Sequence, residues 1–417
     1  MTAISGWVAP GWEGVREAFQ ANFDARAEVG AAFSAYHRGA SVVDLWGGVA
    51  DETKGTPWEE DTLVLVYSTT KGITAMCANM LAQSGALDLD APVADYWPEF
   101  AEAGKEQVTV TDLLSHRAGL AWVDGTMSVD DMLAWDPVIR ALERQTPSWP
   151  PGTAHGYHAT TYGWLVGEVI RRVSGKSVGA YVRDEVAGPL EADWYIGLPA
   201  SEERRVARLV SFLDSLTEGL GLERLGAGAG AGPGAGPDLE HLANLAATYF
   251  APDGPLFKAL TAPGGSLSDP QLWHSPRLHA AELPAANGIC DARSLARLYA
   301  ACVSDVRAPS GEKIRLLTAD QLERALVQQT EGPDQVLLGL DIQWGLGFIV
   351  NRGIIAAAGL GGPRGFGHFG MGGSGGWADA DAELAMGYVM NRMDIGTTGD
   401  TRSFRLMQAC FEAARRS

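Results

Sequence analysis

The segment Val66-Tyr67-Ser68-Thr69-Thr70-Lys71 sets a serine and a lysine three residues apart, a spacing that stacks both side chains on one helix face one turn apart. A serine hydroxyl becomes a nucleophile when a neighbouring group takes its proton. A lysine can be that group once burial or positive potential lowers its pKa. Both conditions are offered here. The residues after Lys71 read as an apolar helix, and a helix N-terminus disfavours a charged amine while favouring an oxyanion. Taken alone, the pair is better read as a helix-capping serine followed by a solvated lysine, so the catalytic reading needs partners elsewhere in the chain.

A second serine competes for the role. Gly372-Gly373-Ser374-Gly375-Gly376 spells GxSxG, the nucleophile-elbow pattern, which works where a strand turns sharply into a helix. Here a short Asp/Ala turn leads instead into Leu384-Ala-Met-Gly-Tyr-Val-Met, which reads as strand, turn, strand. With 52 glycines in 417 residues the pattern also arises easily by chance. Ser374 is expected to be a turn residue and not the nucleophile.

Two further features stand in the right order behind Ser68 and Lys71. Tyr157, in WPPGTAHGYHATTYG, precedes a helical stretch, where its phenol can relay a proton between nucleophile and leaving group. His368, Phe369 and Gly370 lie on a strand near the C-terminus. Together SxxK, the tyrosine loop and the HxG strand resemble the serine β-lactamase and penicillin-binding-protein superfamily, with the match closest to the class C branch and its family VIII carboxylesterases. TVTDLLSHRAGL, YGWLVGEVIRRVSGKS, AANGICDARSLARLYAA and GHFGMGGSGGWAD extend the likeness over most of the chain. The resemblance implies an acyl-enzyme on Ser68, Lys71 as its base, Tyr157 as proton shuttle, and an oxyanion hole from the backbone N–H groups of Ser68 and Met371. It also agrees with a GxSxG that does not act.

Two departures from that pattern bear on substrate. Ala159 stands two residues after the tyrosine, where β-lactamases and peptidases have an asparagine that holds an amide. His368 replaces the lysine of KTG, and near pH 7 it is largely neutral, a weak partner for a substrate carboxylate. Both favour uncharged esters, and the expectation is a serine carboxylesterase for short-chain esters. β-Lactamase, D-amino-acid peptidase or amidase, and acyltransferase are the alternatives within the superfamily. His158, His368, Phe369, Gly370 and Trp377 are the expected substrate-binding residues, whereas His116 reads as a structural hydrogen-bonder at a helix end.

These side chains need a scaffold. Residues 13 to 28 have helical spacing, and VGAAFSAYHRGASVVDLWGGVAD reads as two strands about a turn. Ile73, Met76, Cys77, Met80 and Leu81 mark a helix buried along one face and stopped by Gly85. TTYGWLVGEVIRRVSG is another helix, as are DARSLARLYAACV and the final TRSFRLMQACFEAARR. DIQWGLGFIVN, GIIAAAGL, GHFG and LAMGYVMN read as strands. The expected architecture is α+β: an antiparallel sheet formed by residues 1–72 and 286–417, flanked by helices, with a mainly helical unit, 73–285, inserted between. Residues 226–237 hold only Gly, Ala and Pro, the composition of a flexible loop.

Composition narrows the partners. A formal net charge of −19 argues against nucleic acid and anionic membranes, and the partner expected is a small-molecule ester. The four cysteines form no CxxC pair and read as buried thiols, and no histidine pattern marks a metal site, so neither metal nor cofactor is expected. An N-terminus without an apolar leader leads to a cytoplasmic expectation.

Overall fold

The computed structural model describes residues 2–25, 28–211, 251, 254–261, 263–394 and 399–417. The Gly/Ala/Pro segment 226–237 lies outside the described residues.

Strand β1 (Ile4–Val8) and helix α1 (Glu13–Asp24) lead into β2 (Gly30–His37) and β3 (Ala40–Asp51), the hairpin expected from two strand-like runs about a turn. The C-terminal part supplies β4 (Ile349–Val350), β5 (Gly365–Phe369), β6 (Gly375–Asp379) and β7 (Leu384–Met390). These join in one antiparallel sheet in the order β1-β3-β2-β7-β6-β5-β4, with the two-residue strand Thr56–Pro57 pairing on β3. The chain ends therefore meet at the β2–β7 pair, where Phe33 lies opposite Tyr388.

Both faces of the sheet are buried, so its central strands carry apolar residues without a polar side. One face holds Phe33, Leu45, Phe369, Trp377, Met386 and Tyr388, packed with residues of α1 and the last helix, Thr401–Ala414. The other holds Ala32, Tyr36, Phe366, Ala378, Ala385 and Val389, packed with the helix Ala292–Val303. Neighbouring residues on a strand thus serve different cores.

Helix α2 (Thr70–Gln83) runs between that second core and the helical region, touching β5 on one side and helix α3 (Thr161–Ser174) on another. Its periodicity predicts one buried face. In fact Thr70 to Asn79 are buried without exception, because α2 is enclosed on all sides. A small sheet braces its entry: Val64–Leu65 and Trp194–Tyr195 both pair with Ile289–Cys290. GIIAAAGL is a correction: Gly353–Ala357 is a helix, and of DIQWGLGFIVN only Ile349–Val350 is strand. All four cysteines are buried free thiols. Among the described residues no helix is long and apolar enough to cross a membrane.

Candidate functional site

Ser68 precedes α2 in a tight turn in which the N–H groups of Thr69, Thr70 and Lys71 bond the carbonyls of Val66, Tyr67 and Ser68. Tyr67 has φ 45°, an unusual conformation for a bulky residue. It is held there because its carbonyl accepts the Thr70 hydroxyl, whose oxygen in turn accepts Gly288 N at 2.8 Å. The backbone N–H of Ser68 makes no hydrogen bond to any described residue, and neither does that of Met371.

Lys71 is fully buried on the first turn of α2. Its Nζ lies 3.1 Å from Ser68 Oγ, 2.6 Å from the Ala159 carbonyl oxygen and 2.9 Å from that of Ala285. As an ammonium it donates to all three. As a free amine it gives its two protons to the carbonyls, and its lone pair faces the serine hydroxyl. Burial drives its pKa well below the ordinary lysine value, and no carboxylate among the described residues lies within ion-pair distance to oppose that shift.

Tyr157 closes the cluster, with Nζ of Lys71 4.7 Å from its ring centroid. Trp344 stacks on the ring at 5.6 Å and 7°, His116 meets it edge-on at 5.1 Å, and Asp334 Oδ1 accepts its backbone N–H at 3.1 Å. The same Asp334 oxygen accepts Val336 N and Leu337 N, so the tyrosine loop is pinned to a segment far away in sequence. Tyr157 Oη is buried without a hydrogen bond to any described residue. Burial raises the phenol's pKa, and the neighbouring Ser68 hydroxyl opposes the rise.

His368 borders this cluster, its ring 6.2 Å from that of Tyr157 and 5.6 Å from that of Trp344. Its Nδ1 lies 2.8 Å from the Phe369 carbonyl oxygen, which fixes the proton there and leaves Nε2 as a buried acceptor without a partner among the described residues. Burial, and then the charge of Lys71, bring its pKa down to about 3. At neutral pH His368 is uncharged. Gly370 packs directly against the serine segment: a Cβ there would stand 2.1 Å from the Val66 carbonyl oxygen.

The structure thus gathers Ser68, Lys71, Tyr157, His368, Gly370 and Met371 at the entry of α2. It places three other expected substrate-binding residues elsewhere, and these are corrections. Phe369 points to the opposite sheet face from His368, stacking on Trp377 at 5.5 Å and meeting Phe404 edge-on. Trp377 lies on β6 in that far core with its N–H bonded to the Leu360 carbonyl at 3.1 Å. His158 is fully buried, its Nε2 accepting Leu120 N at 3.0 Å and its Nδ1 lying 2.7 Å from Gly156 O, which leaves no ring atom for a substrate.

Ser374 sits in the turn between β5 and β6, strand to strand, as expected from its surroundings. Its hydroxyl donates to Val66 O at 2.9 Å, and no lysine or histidine among the described residues bonds it. His116, at φ 61°, accepts His158 N at 3.1 Å and supports the tyrosine loop, the structural role expected of it. Four parts of the site have no counterpart in the sequence reading: the Ala159 and Ala285 carbonyls, Trp344 and Asp334. The carbonyls carry no side-chain signature, and the other two act on Tyr157 from more than 170 residues away.

Comparison with known proteins places the chain in a family. The family model Beta-lactamase matches residues 15–410. Esterase/beta-lactamase LipL of Mycobacterium tuberculosis (strain ATCC 25618 / H37Rv) is 33% identical over 400 residues, 94% of this chain and 83% of that protein. Among solved structures, a family VIII carboxylesterase shares 38% identity at a TM-score of 0.82, covering 99% of this chain and 100% of that one. A penicillin-binding protein homolog from Caulobacter crescentus shares 35% identity at a TM-score of 0.82, with the same coverage. By its matched length and its fold, the chain belongs to the beta-lactamase family of serine hydrolases.

Proposed function

We propose that the protein is a serine carboxylesterase that cleaves short-chain, uncharged esters through an acyl-enzyme on Ser68. The observation that carries this reading is Lys71: a buried amine with no counter-ion among the described residues, 3.1 Å from the Ser68 hydroxyl. In the neutral form it accepts the hydroxyl proton as Oγ attacks the ester carbonyl. The carbonyl oxygen, now negative, takes the free N–H groups of Ser68 and Met371 and the positive end of α2. Collapse expels the alkoxide, which is protonated by way of Tyr157 from Lys71. Water then attacks the acyl carbonyl, losing its proton to the same pair, and Ser68 is released.

His368 supports the ester over the β-lactam. A carboxylate-bearing substrate needs a cation at this point of the site, and a histidine with a pKa near 3 supplies none at neutral pH. Ala159 adds to this, since a methyl offers no amide for a β-lactam or peptide. Each missing hydrogen bond of this kind costs about 1.5 to 3 kcal/mol when one partner is charged, one to two orders of magnitude in specificity. The likeness to proteins named esterase and carboxylesterase points the same way.

The test is kcat/KM for p-nitrophenyl acetate, butyrate and decanoate beside the chromogenic cephalosporin nitrocefin, on one preparation. The acetate and butyrate values should exceed that for nitrocefin by at least about tenfold. A larger value for nitrocefin would make the protein a β-lactamase, and a preference for decanoate would overturn the short-chain part of the reading.

A further inference from the structure

Ser374 lacks a base, yet its hydroxyl is placed where it bears on catalysis. Its Oγ donates to Val66 O at 2.9 Å and lies 3.1 Å from Thr69 Oγ1. A hydroxyl has one proton, so with that of Ser374 given to Val66, the second bond is donated by Thr69. Val66 and Thr69 bracket Ser68. Ser374 itself ends the turn 370–374 that carries Met371. One side chain therefore spans the gap between the two segments whose unbonded N–H groups form the candidate oxyanion hole.

That turn has little stiffness of its own. Gly372 and Gly373 stand at φ 90° and 121°, and Gly370, Gly375 and Gly376 add further backbone freedom. Gly370 N bonds Ser374 O at 2.8 Å and Gly373 N bonds Gly370 O at 3.2 Å, which shapes the turn internally without relating it to Ser68. Arg402 and Asp394 N hold the Gly372 carbonyl from the far side, at 2.6 and 3.0 Å. Among the described residues, the hydrogen bonds between turn 370–374 and segment 66–69 run through the Ser374 hydroxyl. The two segments are in van der Waals contact there: a Cβ on Gly370 would meet Val66 O, Ser374 Oγ and Thr69 Oγ1, all within 2.9 Å.

We propose that Ser374 is a positioning residue of the esterase, a staple that sets the spacing between the Ser68 and Met371 N–H groups and so preorganises the oxyanion hole. The inference rests on the reading of Ser68 as nucleophile. It gives the GxSxG serine a role in the reaction that needs no base and no covalent step.

The experiment is Ser374→Ala, assayed with a p-nitrophenyl ester and the matching thionoester, in which sulfur replaces the carbonyl oxygen. Sulfur is a weak hydrogen-bond acceptor and gains little from the hole. The ester kcat should fall about 10- to 100-fold with KM nearly unchanged, and the ester-to-thionoester ratio should fall with it. Fluorophosphonate should still label Ser68, only more slowly. A wild-type kcat, or equal slowing of ester and thionoester, overturns the staple. Label on Ser374 in the wild-type protein would instead overturn the nucleophile assignment on which it rests. If Ser374→Ala does not fold, Thr69→Val, which removes the hydroxyl that donates to Ser374, takes its place: a lowered ester-to-thionoester ratio supports the staple and an unchanged one overturns it.

Discussion

Two clusters of buried charge in this molecule are built in opposite ways. Around Arg402, Glu28 lies at 3.2 Å, Asp400 at 2.6 Å, and the carbonyls of Gly372 and Arg392 accept at 2.6 and 2.8 Å. Tyr388 completes the set by donating to Glu28, and none of the buried side-chain polar atoms of these four residues lacks a partner. Around Lys71 there is no counter-ion among the described residues, and Tyr157 Oη, His116 Nε2 and His368 Nε2 are all buried without hydrogen bonds to any described residue. Burying an unpaired amine costs stability, and the cost is relieved by making the amine neutral. The first cluster joins the turn after β5 to the last helix. The second surrounds a buried amine with backbone carbonyls and aromatic rings. What sets the second cluster apart is a buried amine with no counter-ion among the described residues.

That contrast can be broken by substitution. The largest effect is expected from Ser68→Ala, which should lower ester turnover at least about 10⁴-fold while the melting temperature holds, because it removes the reacting atom and no packing. Arg402→Met comes next and should act on stability. Removing one partner of a buried ion network strands Glu28 and Asp400 and should cost about 3 to 5 kcal/mol, read by urea unfolding.

Lys71→Met and Tyr157→Phe should each reduce kcat at least about a hundredfold, since each deletes a proton-transfer partner. Here the comparison sharpens: Lys71→Met should leave stability unchanged or raised, the reverse of Arg402→Met. The pH dependence is set by the sign of the shift. The folded protein holds Lys71 below its unfolded pKa of 10.5, so between the two values the unfolded chain binds more protons and stability rises with pH. Lys71→Met should flatten that rise. In the wild type, kcat should increase with pH as the Lys71 and Tyr157 pair loses a proton, and a rate constant across the alkaline range would count against the neutral-amine base. His368 and His158, with pKa values of about 3 and 4, contribute no step near neutrality.

The smallest effect on catalysis is expected at Trp377. Trp377→Phe should cost about 1 to 3 kcal/mol of stability through lost packing and the lost hydrogen bond to the Leu360 carbonyl, with KM for esters unchanged. A changed KM would return Trp377 to the substrate pocket.

How much of this is legible in the chain depends on the range of each interaction. Ser68 and Lys71 are legible because helical spacing is a local rule, and the β2–β3 hairpin because a turn between two strand-like runs is a local signal too. Ser374 is legible as a turn residue because the residues after it continue as strand. Phe369 and Trp377 are misplaced by sequence alone because which face of β5 and β6 meets α2 is decided by the sheet's packing against two sets of helices, not by strand pattern. Gly353–Ala357 reads as strand because Ile354 and Ile355 in a short apolar run suit strand and helix alike. The setting of Lys71 is invisible, since Ala159 and Ala285 contribute only backbone carbonyls and arrive from 88 and 214 residues away.

The central claim, that Ser68 and not Ser374 is the nucleophile, is tested most directly by covalent labelling. The protein is treated with a fluorophosphonate, digested, and the adduct located by mass spectrometry. Modification of the peptide containing Ser68, lost in Ser68→Ala and retained in Ser374→Ala, is the predicted result. An adduct on the peptide containing Ser374 would contradict the account.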